Sequence, residues 1–201
     1  MYTVKEPKQK FMRRTKEEAQ QTRKAILHAA TYLFSEHGVT QTTLDDIAAK
    51  ANVTRGAIYW HFKNKTEIFD ALFEELHTPF ITMIWDELDK NHPSPLIQLQ
   101  KICIDILINL KEDKDKVATL RLFFRRCDYS GELQIYQQKH LEKKKDKYQA
   151  FEKFFDRAKK KGQLPAHADS ALLTLGMNAY VKGILIVFFD SDDETILNTV
   201  P

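Results

Sequence analysis

The chain of 201 residues is 43% hydrophobic and carries a formal net charge of +3, which gives enough apolar material for one large domain or two small ones. Its two cysteines, Cys103 and Cys127, lack metal-ligand or redox-motif spacing, which excludes a cysteine-based metal site and favours a reducing compartment. Residues 1–66 hold twelve Lys and Arg against six Asp and Glu, whereas the remainder has a net charge of −3. This asymmetry favours a nucleic-acid-binding module joined to a second domain, although a solvated basic tail gives the same count.

The first residues contain no apolar segment typical of a secretory signal, so a cytoplasmic protein is expected. The most apolar stretch, 171–189, is interrupted by Thr174, Asn178 and Lys182, which makes it a poor membrane span. The seven histidines are scattered and form no metal-binding or catalytic motif. We therefore expect no metal, no cofactor, no membrane partner and no enzymatic activity.

Helices dominate the predicted elements, because only six Gly and six Pro occur and no segment alternates like a strand. An all-α fold is therefore predicted. Residues 1–14 are interpreted as a basic N-terminal arm. A helix is predicted to begin at Thr15, which forms a capping box with Glu18, and to be stopped by Gly38. Further helices are predicted near 43–51, 54–62, 65–90, 95–112, 115–129, 132–161 and 168–190, with another start at Asp192.

The two short helices between Thr43 and Phe62 have the spacing of a helix-turn-helix. Thr43 and Thr54 are predicted to cap them, and Asn52 tolerates the left-handed backbone that a sharp turn requires. Ile58 is predicted to anchor the second helix to the core. This arrangement would leave the opposite face of that helix exposed.

Tyr59 and Trp60 are predicted to lie on this exposed face. Large exposed apolar groups mark contact surfaces, and the neighbouring hydroxyl and cationic side chains suit the phosphates and base edges of double-stranded DNA. Two short helices also occur in ordinary bundles, so the pattern alone leaves plain packing as an alternative. The predicted DNA-binding residues are Thr43, Thr54, Arg55, Gly56, Tyr59, Trp60, His61, Lys63 and Lys65.

The run TRGAIYWHFKNK at 54–65 resembles the recognition helix and following turn of the TetR family. The preceding runs TKEEAQQTRKAILHAATYLFSEHGV and TLDDIAAKANV resemble that family's first two helices, and LFFRRCDYSGELQIYQQ at 122–138 resembles a helix junction of AcrR-like repressors of multidrug efflux pumps. Asn52 departs from the pattern, which usually has Gly there. The resemblance implies a helix-turn-helix domain at 15–64 and a larger helical ligand-binding and dimerisation domain at 65–201. It further implies a bacterial repressor of an efflux-pump gene that small lipophilic ligands release from DNA.

Apolar and aromatic residues at helical spacing in 65–201 are candidates for the ligand cavity that the resemblance implies. For any one of them, ordinary core packing is the stronger alternative. The candidate ligand-binding residues are Phe80, Ile106, Asn109, Phe123, Cys127, Phe151, Phe155, Met177 and Tyr180.

The helix predicted at 168–190 is apolar almost all round and must be covered on two faces. One cover is its own domain, and we expect the other to be a second copy of the chain. The candidate dimer-interface residues are Leu175, Ile184 and Phe188. Such a homodimer would present two recognition helices to an inverted-repeat operator, although the segment after Asp192 is short for the second interface helix that the resemblance implies.

Two alternatives stay open at this point. The chain could regulate a metabolic operon with a different inducer, or it could bind DNA constitutively with a filled core and no ligand.

Overall fold

A computed structural model describes residues 8–125 and 129–191, and all regular structure in these ranges is helical. The chain forms two compact units, which meet in sequence between Leu72 and Phe73. The boundary between units therefore lies inside a helix, eight residues beyond the predicted domain limit at 64. The helices are α1 Lys8–Gln41, α2 Leu44–Lys50, α3 Arg55–His61, α4 Lys65–Asp89, α5 Pro95–Glu112, α6 Lys114–Arg125, α7 Gln134–Lys160 and α8 Ser170–Ser191, with a 3-10 turn at Gly131–Leu133 before α7.

Helix α1 begins at Lys8, so the predicted start at Thr15 is wrong. The run from Lys8 to Arg14 contains no Gly or Pro and consists mainly of residues with good helix propensity, which lets the helix extend through the predicted arm. The predicted break at Gly38 is confirmed, because its φ of 77° interrupts the helical backbone. The predicted helix from Asp192 lies outside the described residues.

The connection between α2 and α3 is a left-handed turn at Asn52, whose φ is 54°. The Val53 amide donates to the Ala48 carbonyl at 3.0 Å, and the Asn52 amide donates to the Ala49 carbonyl at 3.2 Å. This pair of bonds is a Schellman motif, which satisfies the last carbonyls of α2 and redirects the chain. Asn occupies the position that usually requires Gly because its short polar side chain tolerates this conformation.

Both short helices carry the predicted caps. The Thr43 hydroxyl accepts the Asp46 amide at 3.1 Å, and the Asp46 carboxylate accepts the Thr43 amide at 2.9 Å. The Thr54 hydroxyl accepts the Ala57 amide at 3.1 Å. A helix of seven residues is unstable alone, so burial must hold it in place: Ile47 of α2 and Ile58 of α3 are both fully buried.

The C-terminal unit has two apolar clusters. The first is built mainly from α4, α5 and α7, with Ile84, Ile102 and Phe154 among its buried members. The second joins α5 to the end of α8 through Leu107, Leu185 and other apolar residues.

Helix α8 has the opposite orientation to the one that its composition suggests, because polar residues are buried and apolar residues are exposed along much of its length. Its buried residues include Ser170, Thr174 and Asn178, whereas Leu172 is 65% exposed and Leu175 is 55% exposed. The Ser170 hydroxyl donates to the Asp156 carboxylate at 2.7 Å, and the Asn178 amide donates to the Thr174 carbonyl at 2.9 Å. The polar stripe therefore packs inward, and an apolar face remains on the surface of the isolated chain.

Within the described ranges, one segment has the length and composition of a membrane-crossing helix, namely 170–190 of α8, with a mean hydropathy of 1.8. Core helices of proteins that do not cross membranes share these properties.

The strained turn yields a stability prediction. Replacing Asn52 with Gly removes the steric cost of the left-handed conformation, so the N52G variant should gain about 0.5–1 kcal/mol in the free energy of unfolding. Urea denaturation followed by circular dichroism measures the difference. A loss of stability would show that Asn52 contributes a side-chain interaction worth more than the strain it carries.

Candidate functional site

The exposed face of α3 is the clearest candidate contact surface in the N-terminal unit. Trp60 is 70% exposed and Tyr59 is 50% exposed, whereas Ile58 of the same helix is fully buried in the core. The rings of Trp60 and His61 meet edge to face, with centroids 4.5 Å apart. The predicted projection of the two aromatic side chains away from their unit is thus confirmed.

Arg55 is held in a defined position beside Tyr59. One guanidinium nitrogen donates to the Asp45 carboxylate at 2.8 Å, and the other donates to the Tyr59 hydroxyl at 3.2 Å. The guanidinium carbon also lies 5.6 Å from the Tyr59 ring centroid. The hydrogen bond that Arg55 donates to Tyr59 and the charge of Asp45 raise the pKa of Arg55. Asp45 of α2 therefore positions the Arg55 guanidinium that α3 would present to a base edge.

The two capping threonines differ in what they can offer. The Thr43 hydroxyl donates its proton to the Asp46 carboxylate at 2.7 Å while accepting the Asp46 amide, so its capacity is largely used within the cap. The Thr54 hydroxyl accepts the Ala57 amide and keeps a proton for donation. Gly56, next to Thr54, is exposed, and a Cβ placed on it would meet only the Thr54 hydroxyl oxygen at 3.8 Å.

The cationic candidates after α3 are unequal. Lys63 is exposed, whereas the Lys65 ammonium donates to the Thr40 carbonyl at 2.9 Å. Burial, assisted by the nearby charge of Arg23, lowers the pKa of His61. A neutral imidazole at pH 7 attracts phosphate less than a cation does, so Lys63 is the stronger candidate for backbone contact.

Five of the candidate ligand residues lie together in the C-terminal unit. Phe151 and Phe155 are buried in the first apolar cluster, and Phe80, Ile106 and Met177 pack against it while partly exposed. The rings of Phe80 and Phe151 are 6.1 Å apart. The structure thus groups these side chains, but grouping is equally compatible with core packing, so their ligand-binding role stays a prediction.

Other candidates lie elsewhere. Tyr180 is 63% exposed on the apolar face of α8, and Asn109 lies at an open cleft of about 660 Å³ near the α5–α6 turn. Neither side chain belongs to the five-residue group, since Tyr180 lies away from the buried stripe of α8 and Asn109 is exposed on α5, and their ligand-binding role stays a prediction. Phe123 contacts Phe73, with ring centroids 5.6 Å apart, outside the five-residue group. Cys127 lies outside the described residues.

The three candidate dimer-interface residues on α8 differ in their burial. Leu175 belongs to the exposed face, Ile184 is partly buried against the second apolar cluster, and Phe188 is buried within it. The prediction for Phe188 is wrong, because the buried stripe of α8 turns with the helical period and brings this ring inward at the C-terminal end.

A histidine–aromatic column in the C-terminal unit was missed from the sequence. The Phe73 ring is stacked between His140, at a centroid distance of 3.7 Å, and His77, at 5.4 Å. His140 is fully buried and shares a 2.8 Å hydrogen bond with the Tyr129 hydroxyl. The burial of His140 could have been predicted from its spacing, because His140 lies on the same helical face of α7 as Phe154. The histidines were instead considered together as scattered along the chain.

Comparison with known proteins gives consistent matches over most of the chain. Residues 26–72 match the family model "Bacterial regulatory proteins, tetR family", and residues 94–193 match "MAATS-type transcriptional repressor, C-terminal region". The chain is 34% identical to the transcriptional regulator TtgR of Pseudomonas putida, covering 87% of this chain and 83% of TtgR. It is 32% identical to the transcriptional regulator AcrR of Shigella flexneri, covering 86% and 80% of the two chains.

A solved structure shows the same similarity in three dimensions. SmeT, the repressor of the Stenotrophomonas maltophilia multidrug efflux pump SmeDEF, has been solved in complex with triclosan. That complex aligns with a TM-score of 0.77 at 33% identity, covering 89% of this chain and 85% of SmeT.

The Asp45–Arg55 pair yields a prediction about sequence discrimination. In the D45A variant Arg55 loses its tether, so the ratio of specific to non-specific DNA affinity should fall about two- to fivefold, the range expected for one exposed ion pair. Fluorescence anisotropy with an inverted-repeat duplex, selected from a random library with the unaltered protein, and with a scrambled duplex measures the ratio. E36A, which removes an exposed carboxylate from α1, is the control for the change in net charge. Equal ratios in D45A and E36A would contradict a positioning role.

Proposed function

Because the chain belongs to the TetR family of bacterial transcriptional regulators, we propose that it is a ligand-responsive repressor that binds an inverted-repeat operator as a homodimer. We further propose that it controls a multidrug efflux pump gene and that small lipophilic compounds release it from DNA. The repressor assignment follows from the family models and relatives, and the pump, the inducer and the contact residues are the proposal.

The observation that carries the proposal is the exposure of Tyr59 and Trp60 on a helix whose other face is buried. Exposing two large aromatic side chains to water is unfavourable, and such exposed apolar groups mark contact surfaces. In a DNA groove their rings can pack on sugars or thymine methyls, while the Tyr59 hydroxyl and the Arg55 guanidinium donate to polar edges. Lys63 supplies a backbone contact that is independent of sequence.

The proposed regulation by lipophilic compounds rests on the relatives and on the aromatic grouping around Phe80 and Phe151. SmeT binds triclosan, a small lipophilic compound, in a fold that superposes on this chain. An apolar and aromatic region with few polar groups is the usual composition of a small-molecule site. A ligand there lowers DNA affinity only by its preference for the conformer that binds DNA poorly, typically ~1–3 kcal/mol.

The proposed homodimer rests on the exposed face of α8. Leu172, Leu175 and Ala179 are exposed at steps of three and four residues, and Tyr180 and Val187 continue the exposed apolar face toward the end of α8, which is the pattern of a helix-packing seam. Gly176 and Ala179 on this seam leave room for a second helix to approach closely. A second copy of α8 would cover the face with matching apolar groups.

The DNA-binding proposal predicts the behaviour of a Tyr59→Ala variant. Because Tyr59 is half-exposed, its removal should leave the fold intact and reduce specific operator affinity at least about tenfold, through loss of the ring contact and of the Arg55 hydrogen bond. Anisotropy with the selected inverted-repeat duplex measures the affinity, and thermal denaturation checks folding. Tyr32→Ala, an exposed tyrosine of α1, is the control. Unchanged operator affinity in Y59A would refute the proposed contact surface.

The dimer proposal predicts that Leu175→Lys yields monomers. A charge at the centre of an apolar seam opposes association, whereas Leu175 is exposed enough in the single chain for the fold to tolerate lysine. Sedimentation velocity reports the oligomeric state, and Leu141→Lys, at an exposed leucine of α7, serves as the control. If L175K sediments like the unaltered dimer, the seam lies elsewhere.

A further inference from the structure

Lys147 occupies the centre of the inward face of α7. It lies seven residues after His140 and seven before Phe154, both of which are fully buried, and this spacing places all three on one side of the helix. Lys147 is itself partly buried. A lysine in such a position costs free energy unless a partner compensates its charge.

The Lys147 ammonium lies 5.2 Å from the centroid of the Tyr148 ring, but no carboxylate pairs with it among the described residues. The carboxylate in this region, Glu74 of α4, is shared between the Lys139 ammonium at 3.0 Å and the Lys143 ammonium at 2.5 Å, and it also accepts the Thr78 hydroxyl at 3.1 Å. These partners lower the pKa of Glu74 to about 2. Lys147 forms no ion pair within residues 8–125 and 129–191.

The groups around Lys147 add positive charge. Lys182 of α8 approaches α7, where its ammonium lies 3.5 Å from the Tyr148 hydroxyl. Burial, together with repulsion by Lys182 and Lys144, lowers the pKa of Lys147 to about 8. Two helices therefore present cations to one place that lacks an anion.

The same place adjoins the proposed lipophilic region. Phe151 follows Lys147 by one helical turn and contacts Phe80 of α4. His77 of α4 also faces this part of α7, since its Nε2 lies 2.9 Å from the Lys143 carbonyl oxygen. Its other ring nitrogen, Nδ1, is buried without a hydrogen-bond partner among the described residues. Apolar rings thus lie beside a cation that has no carboxylate partner among the described residues and beside an unsatisfied polar atom.

We propose that the C-terminal unit binds amphiphilic organic anions, with Lys147 as the buried contact for the anionic group and Phe80 and Phe151 against the apolar part. This inference rests on the proposed ligand-responsive function and specifies the chemical class of ligand. Lys182, which is exposed, adds a second cation on the solvent side. The anion would restore the charge balance that the protein alone lacks.

Two fluorescent probes test the charge requirement directly: 8-anilinonaphthalene-1-sulfonate and its uncharged analogue N-phenyl-1-naphthylamine, which lacks the sulfonate. The Lys147→Met variant should weaken sulfonate binding about tenfold or more, the expected loss of one buried charge-assisted contact, and change the affinity of the neutral probe less than about twofold. Lys147→Arg should retain sulfonate binding. Lys145→Met, an exposed lysine on the same helix, should change neither probe, and thermal denaturation confirms folding of each variant.

A calorimetric measurement gives an independent readout. An anion beside Lys147 raises its pKa from about 8, so sulfonate binding at pH 8 should take up as much as about half a proton, and this uptake should vanish in K147M. His77, with its pKa lowered by burial, stays neutral at this pH, and Glu74 stays charged. Titrations in two buffers with different ionisation enthalpies measure the uptake.

Several outcomes would overturn the inference: equal losses for both probes in K147M, full sulfonate affinity in K147M, or no sulfonate binding to the unaltered protein. The proposed function has a separate test, namely whether N-phenyl-1-naphthylamine or triclosan releases the selected operator duplex. Release by these compounds without the charge dependence would keep the repressor proposal and discard the anion site. Failure of every compound to release the duplex would refute ligand response itself.

Discussion

The left-handed turn at Asn52 is the constraint on which the DNA-binding surface depends. Helices α2 and α3 each have seven residues, too few to be stable alone, so they exist only while both bury an isoleucine in a common unit. The turn fixes the direction in which α3 leaves α2, and Ile58 fixes its rotation. Once these two conditions are met, Tyr59 and Trp60 have no inward position left to occupy. Exposure of the aromatic pair is thus a consequence of local backbone geometry, and the Asp45–Arg55 bond adds order to a surface already aimed outward.

For helix α8 the sequence correctly predicts an apolar helix but gives the wrong orientation for its polar stripe. An apolar helix with a narrow polar stripe suggests that the stripe faces water. Here Ser170 and Asn178 are buried because each finds a hydrogen-bond partner inside the unit, which removes most of the penalty for burying them. Leu172, Leu175 and other apolar residues on the opposite face then remain on the surface, whereas Leu185 and Phe188 pack inward near the C-terminal end of the helix. This inversion is the physical reason for assigning a second copy of the chain to the outer face.

The helices themselves follow from the sequence with little loss: α4, α5 and the two short helices begin and end within about two residues of their predicted limits, because caps, glycines and prolines mark those limits locally. Residues that depend on rotation or on long-range packing are harder to place. Tyr180 was predicted to lie inside the unit and is exposed, whereas Phe188 was predicted to lie on the outer face and is buried. The rotation of α8 was inferred from its polar residues, and these are themselves buried at Ser170, Thr174 and Asn178. The stacking of Phe73 between His77 and His140 joins residues far apart in the chain, so the spacing that places His140 on the inward face of α7 does not identify the rings that it contacts. The sites for DNA and ligand therefore differ in predictability: the first is built from consecutive residues, and the second from several helices.

The buried lysine connects stability to ligand binding. A pKa near 8 in place of the usual 10.5 means that the folded chain disfavours the charged form by on the order of a few kcal/mol, and this penalty is present below pH 8 and relieved as the pH rises toward 10.5. Near neutral pH the C-terminal unit therefore carries the cost of burying the charge of Lys147, to which repulsion by Lys182 of α8 adds, and an anion would offset both. Because α8 also bears the proposed dimer seam, a change in how α7 and α8 pack could alter the seam as well as the pocket. A repressor can use this kind of coupling, since a ligand changes DNA affinity only through its different affinities for the conformers that bind DNA well and poorly, and a helix common to the ligand site and the dimer seam can differ between those conformers.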